Sequence, residues 1–219
     1  MVFNIYLLFV FNVLYVVSIF LQSHAFGMNI VSNSHLSDGT IEGWFPLGDC
    51  HLKVGDGSPR ILPPLARDSL RKTQGYLSGR YVLATNRSGT WMGPAQTITD
   101  KVKLFVTYQV SAWVKIGSGG RTSPQDVNIA LSVDGNWVNG GKVEVDDGDW
   151  HEVVGSFRIE KEAKEVMLHV QGPSPGVDLM VAGLQIFAVD RKARLSYLRG
   201  QADVVTYETY YSLHVWNEN

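Results

Sequence analysis

From Gly79 to Phe187 the chain alternates apolar and polar positions in short runs separated by turn residues. The longest run is Leu104 to Ile116. Leu104, Val106, Tyr108, Val110, Ala112, Val114 and Ile116 alternate there with Phe105, Thr107, Gln109, Ser111, Trp113 and Lys115. Successive side chains of a β-strand point to opposite faces, so this pattern predicts a strand with one buried face. Asp126 to Val133 and Asn136 to Val145 read as two strands joined at Asp134-Gly135, a two-residue hairpin signal. Gly79 to Asn86, Trp150 to Ile159, Glu165 to Gln171 and Val177 to Phe187 complete the set. Asn29 to Leu47 is turn-rich, and loops are expected at Gly55 to Pro59 and at Leu62 to Pro64. Strands at roughly ten-residue spacing without a long helical pattern indicate an all-β fold, an antiparallel β-sandwich. The sandwich is expected over residues 29–189, with a linker and an atypical aromatic tail over 190–219.

Some of these strands pair a polar face with flat aromatic rings. On Asp126 to Val133, Val127, Ile129, Leu131 and Val133 form an apolar face, whereas Asp126, Asn128, Ala130 and Ser132 form a small, polar one. Met167, His169 and Gln171 likewise share a face opposite Val166, Leu168 and Val170. Trp91 and Trp137 stand among polar and glycine residues. Aromatic rings beside amides and imidazoles suit carbohydrate, because sugar C–H groups pack on indole while amides bond hydroxyls. The expected binding residues are Trp91, Trp137, His169, Gln171 and Asn128. Asn86 and Trp91 lie five residues apart, which on a regular strand places them on opposite faces.

Composition narrows the remaining choices. The 219 residues carry a net charge of −2 and no basic stripe, so nucleic acid is not an expected partner. Residues 1–21 form an apolar stretch without Lys or Arg, followed by Ser23-His24-Ala25, which closes a segment over 1–25. This reads as a secretory signal, or alternatively as an anchor over residues 3–21 that would tie the chain to a membrane. Either reading sends the rest of the chain to the extracellular space or cell wall. Cys50 is the single cysteine, expected to be buried and free. Asn86-Arg87-Ser88 is an N-glycosylation sequon. The histidines lack metal-ligand spacing, and no nucleophile-elbow motif occurs. Glu144 and Asp146 are the nearest approach to a glycosidase carboxylate pair, but Asp146 to Asp149 reads as a turn, and Glu152 has no evident mate. Catalytic residues are therefore not expected, and a monomer is.

The run from Ser78 to Thr99, with Tyr108 to Val114, Val170 to Pro173 and Val177 to Ile186, resembles the family 22 carbohydrate-binding modules of plant endo-1,4-β-xylanases. In those enzymes the module precedes a glycoside hydrolase family 10 barrel. The resemblance implies a galactose-binding-like jelly roll with a concave groove for xylan or another β-1,4-linked cell-wall glycan. It places Trp91 at the groove tryptophan and Trp137 at an aromatic of the middle hairpin. The family's Tyr-x-Glu pair falls on His169 and Gln171, and a groove arginine falls on Leu47. Its structural calcium site falls on Leu36-Ser37 and Ala182-Gly183, which supply no carboxylates, so no cofactor is expected. A (β/α)₈ barrel needs about 200 residues or more, and those after Arg199 do not supply one. The expected function is a non-catalytic module accessory to xylan degradation. The alternatives are a fragment of a xylan hydrolase and a sandwich turned to protein interaction.

Overall fold

The computed structural model describes residues 28–69, 76–117, 124–146 and 148–189. The expected signal or anchor, the linker and the tail lie outside them. Ten strands form two five-stranded antiparallel sheets. Sheet I contains β1 (Phe45–Leu47), β4 (Gly93–Thr97), β9 (Val166–Gln171), β6 (Gln125–Val133) and β7 (Asn136–Val145), in that spatial order. Sheet II contains β2 (His51–Asp56), β3 (Arg80–Thr85), β10 (Leu179–Ala188), β5 (Thr107–Ile116) and β8 (His151–Arg158). The expected antiparallel sandwich is the observed fold.

The core lies between the sheets and follows the alternation. Val127, Ile129 and Leu131 of β6 meet Val110, Ala112 and Val114 of β5 in one buried cluster, joined by Leu168, Val170 and Ile186. Tyr108 stacks on Phe157 with ring centroids 5.2 Å apart. Asp134 and Gly135 both take positive φ, 49° and 81°, so the β6–β7 connection is the tight turn that their sequence favours. The Asp134 Oδ1 also accepts from the Lys164 and Glu165 amides, tying that turn to the start of β9.

Three features depart from the sequence expectation. β5 begins at Thr107 because Phe105 turns to φ 59°, which ends the extended backbone. β1, β2 and β4 were not anticipated; β4 reads Gly-Pro-Ala-Gln-Thr, which has almost no alternation and low strand propensity. It forms because β1 and β9 pair along its two edges. The expected loop at Leu62 to Pro64 runs into a short helix, α1 (Pro64–Ser69), with proline at its first turn. The Glu152 carboxylate receives the Leu65 amide at 2.8 Å and the Ser111 hydroxyl at 2.9 Å. Cys50 is buried and free as expected, and burial pushes its thiol pKa up.

Glycines allow the edges of the two sheets to meet. A Cβ on Gly155 of β8 would lie 2.1 Å from the Gly140 carbonyl, and one on Gly141 would lie 2.6 Å from the Val154 carbonyl. The Gly140-Gly141 pair thus serves close packing between β7 and β8.

Candidate functional site

The outer face of sheet I forms a grid of cross-strand rows. Phe45, Ala95, His169, Ala130 and Asn139 stand opposite one another across five strands. On one side of this row, Gln171 faces Asn128, which faces Lys142. On the other side lie Thr97, Met167, Ser132 and Trp137. The middle row is low at its centre: Ala95 and Ala130 are fully buried, and His169 is 5% exposed. It is higher at both ends, where Phe45 and Asn139 are exposed. Small floor residues between raised edges make a trough. Gln171 and Asn128 are half-buried along its length. At the β7 margin, Lys142 Nζ pairs with Asp126 Oδ2 at 2.8 Å.

Trp91 and Trp137 are the exposed tryptophans among the described residues, at 49% and 57%. Trp137 follows the hairpin turn on β7. Trp91 is in the loop that carries the chain from β3 in sheet II to β4 in sheet I, so the strand-parity argument relating it to Asn86 does not apply. Asn86 is exposed and takes φ 56° where β3 ends. The Trp91 indole lies between two glycines. A Cβ on Gly48 would fall 2.7 Å from its Cη2, and one on Gly89 would fall 2.8 Å from its Nε1. Gly48 also has φ 77°, which most residues resist.

Arg87 holds this loop. The side chain is 2% exposed, and its guanidinium donates to the carbonyls of Met92 (2.7 Å), Val177 (2.8 Å), Thr90 and Pro173 (both 3.1 Å). Burial lowers its pKa, yet a guanidinium retains its proton. The Gly172 amide donates to the Thr90 carbonyl and the Gly176 amide to the Arg87 carbonyl. Trp91 is thereby fixed beside the end of β9, which carries Gln171. Sequence reasoning singled Arg87 out only as part of the sequon and the family run, because its partners are carbonyls remote in sequence. Asn139 and Phe45 were also missed. Asn139 was recoverable, being two positions from Trp137 and hence on its face.

From the start of β4 to Trp137 is three strand spacings and four residues along the strands. That amounts to roughly 20 Å on a flat sheet. A diagonal from the start of β4 to Trp137 crosses β9 between Gln171 and His169 and β6 between Ala130 and Ser132, with Asn128 beside it next to Gln171. The expected site residues are therefore brought together, with one correction. His169 forms floor rather than surface: its Nε2 lies 3.3 Å from Gln171 Oε1, and its Nδ1 is buried without a partner. Burial lowers its pKa. Leu47 lies opposite Gly93 on β1 and offers no charge there.

The residues at the family's calcium positions do not fit that ion. Leu36 is a buried apolar residue, Ala182 is buried, and the space beside Gly183 is filled by Leu77, whose Cδ1 lies 2.5 Å from where a Cβ would be. The N-terminal segment is fastened to β10 by an amide instead. Asn29 Nδ2 donates to the Leu184 carbonyl and to Ser34 Oγ, and its Oδ1 accepts from the Ile186 and Val31 amides. Among the described residues, no group of three or more His, Cys, Asp or Glu side chains is placed to hold a metal.

Comparison with known proteins gives the family and the fold. The family model described as carbohydrate binding domain matches residues 28–176. The chain belongs to that family. It is 98% identical over 186 residues to endo-1,4-beta-xylanase 2 of Arabidopsis thaliana, covering 85% of this chain and 18% of that protein. Endo-1,4-beta-xylanase 1 of the same plant is 63% identical over 185 residues, covering 84% and 19%. The chain thus spans about a fifth of the length of these relatives. Among solved structures, the CBM22-1 xylan-binding domain from Paenibacillus barcinonensis Xyn10C superposes with a TM-score of 0.56 at 20% identity, covering 72% of this chain and 92% of that one. Its CBM22-2 counterpart gives 0.57 at 18% identity, covering 71% and 97%. These structures share the fold, and the resemblance drawn from the Ser78 to Thr99 run holds.

Proposed function

We propose that this carbohydrate-binding module recognises xylan, or a closely related β-1,4-linked cell-wall glycan, along the diagonal of the sheet I trough. The observation that carries the reading is the pair of exposed tryptophans flanking a floor of small residues, with the start of β4 beside Trp91 and Trp137 itself roughly 20 Å apart by strand spacing. That separation suits several linked sugar rings and exceeds a single one. Trp91 and Trp137 supply flat apolar area; Asn128 and Gln171 supply hydrogen bonds. Affinity is modest, because each sugar hydroxyl gives up water for the bond it makes. The relatives named as xylanases and the neighbours named as xylan-binding domains support this choice of glycan. We also place the module outside the cell as a monomer, accessory to xylan degradation, with the exposed Asn86 open to N-glycosylation. The metal-free fastening through Asn29 belongs to the same reading.

The test is retention of the full chain in a native gel containing soluble xylan, with Trp91→Ala and Trp137→Ala run alongside. Retardation of the parent protein is expected, abolished by Trp91→Ala and weakened by Trp137→Ala. If the parent passes unretarded through xylan and through other β-1,4 glucans and mannans, glycan recognition is lost as an explanation. The apolar Phe45 and Leu47 on β1 would then favour a protein partner.

A further inference from the structure

The trough contains an imidazole that sugar cannot reach. His169 stands between the buried Ala95 and Ala130, and Nε2 of its ring lies 3.3 Å from Gln171 Oε1. Nδ1 is buried with no partner. Neutral imidazole has one donor and one acceptor nitrogen, so two arrangements compete. In the first, Nε2–H donates to Gln171 Oε1 and Nδ1 is a bare acceptor. In the second, Nδ1–H is a buried donor without a partner, and Nε2 accepts from a flipped Gln171 amide. An orphaned N–H in a protein interior is rarer than an under-satisfied acceptor. The first arrangement therefore holds.

Resting on the sugar-binding reading above, we infer that His169 is a positioning residue whose Nε2–H grips Gln171 Oε1 and turns the Gln171 amide NH₂ toward the bound glycan. The centre of the trough then presents donors to sugar hydroxyl and ether oxygens. A carboxylate at position 171 would present only acceptors. Burial supports the neutral ring that this arrangement requires. The His169 row holds Phe45, Ala95, Ala130 and Asn139, none of which titrates. The charged groups of this face, Asp126, Lys142 and Glu144, stand toward the Asn128 side on β6 and β7.

Two measurements test the inference. The first uses the ¹⁵N shifts of the His169 ring in the ligand-free protein. A neutral Nε2–H ring at pH 6.5 is expected, and an Nδ1–H ring or an imidazolium at that pH overturns the proposal. The second is a double-mutant cycle read as xylan affinity. His169→Phe and Gln171→Ala should each weaken binding about tenfold, the scale of one lost hydrogen bond. The double variant should be little weaker than either, because His169 acts through Gln171. His169→Gln, whose amide nitrogen can take the place of Nε2, should restore part of the affinity. If the parent protein binds xylan but the two losses multiply, this inference alone is overturned. A parent protein that binds no xylan overturns it together with the functional reading on which it rests.

Discussion

Both sheets place tryptophan on their outer faces, yet only one face stays open. On sheet II, Trp113 of β5 packs against Leu62, Ala66, Leu77 and Phe187, and its Nε1 donates to the Ile61 carbonyl. The chain between β2 and β3 folds back across that face and is fastened there by Glu152. Trp150 is turned edge-on to Tyr81, whose ring lies over Gly55. On sheet I nothing comparable crosses the face among the described residues, and Trp91 and Trp137 remain exposed. Polarity does not separate the two faces. Gln109, Ser111 and Gln185 of sheet II are buried, whereas Asn128 and Gln171 of sheet I are partly open. The difference lies in what the connections cover.

The largest effect should come from Arg87, which joins the open face to the rest of the sandwich. Arg87→Ala removes a buried charge and the donors it gives to the Met92, Val177 and Pro173 carbonyls, while the Thr90 carbonyl keeps the Gly172 amide. A loss of about 3–5 kcal/mol is expected in chemical denaturation. Arg87→Lys should recover little of it, since an ammonium has fewer donors and no fork. Near-parental stability in both variants would mean that the Trp91 loop is held by other contacts.

The two faces themselves are compared by Trp113→Ala and Trp91→Ala. Truncating Trp113 should cost about 3 kcal/mol, the lower end for a packed tryptophan because its ring is partly exposed. The xylan affinity of the folded protein should remain. Truncating Trp91 should cost less than about 1 kcal/mol and abolish retention in the xylan gel. Should Trp91→Ala melt as low as Trp113→Ala, the contrast between an open and a covered face collapses.

Much of this contrast was legible in the sequence, up to a definite point. The alternation in β5, β6 and β9 gave the sandwich and the two-faced strands, and the Asp134-Gly135 turn fixed the hairpin register. It also put Asn128, His169 and Gln171 on one face, where they are found. Alternation says which way a side chain points and nothing about depth, so it offered His169 as a sugar contact although the residue is buried. It could not give β4, whose Gly-Pro-Ala-Gln-Thr sequence becomes a strand only through its neighbours. Nor could it give Arg87 its role, since the Pro173 and Val177 carbonyls are brought to it by the fold.

A smaller effect should follow pH. Burial lowers the pKa of both His169 and His35, so each prefers to be neutral in the folded protein. The stability this contributes is fully present above the unfolded value near 6.5. It is lost as pH falls through that value toward the lowered folded ones. The melting temperature should drop by a few degrees between about pH 7.5 and 5.5. His169→Gln should flatten the slope. The Asp38 carboxyl, held below its usual range by hydrogen bonds from Thr40, titrates outside this window. A flat profile would mean that both rings are better solvated than their positions indicate.

The smallest effect expected is none. The N-terminal segment and the β10 bulge meet where the resemblance expects calcium, but Asn29 supplies both donors and acceptor there, and Leu77 fills the space beside Gly183. A neutral amide that satisfies the Leu184 carbonyl and the Ile186 amide leaves no set of oxygen ligands for a hard cation. Adding EDTA should therefore move the melting temperature by no more than about 1 °C, well under the 2–4 °C that each kcal/mol is worth in a domain of this size. A fall of about 5 °C or more, reversed by calcium and not by magnesium, would show that an ion rather than Asn29 fastens this end of the sandwich.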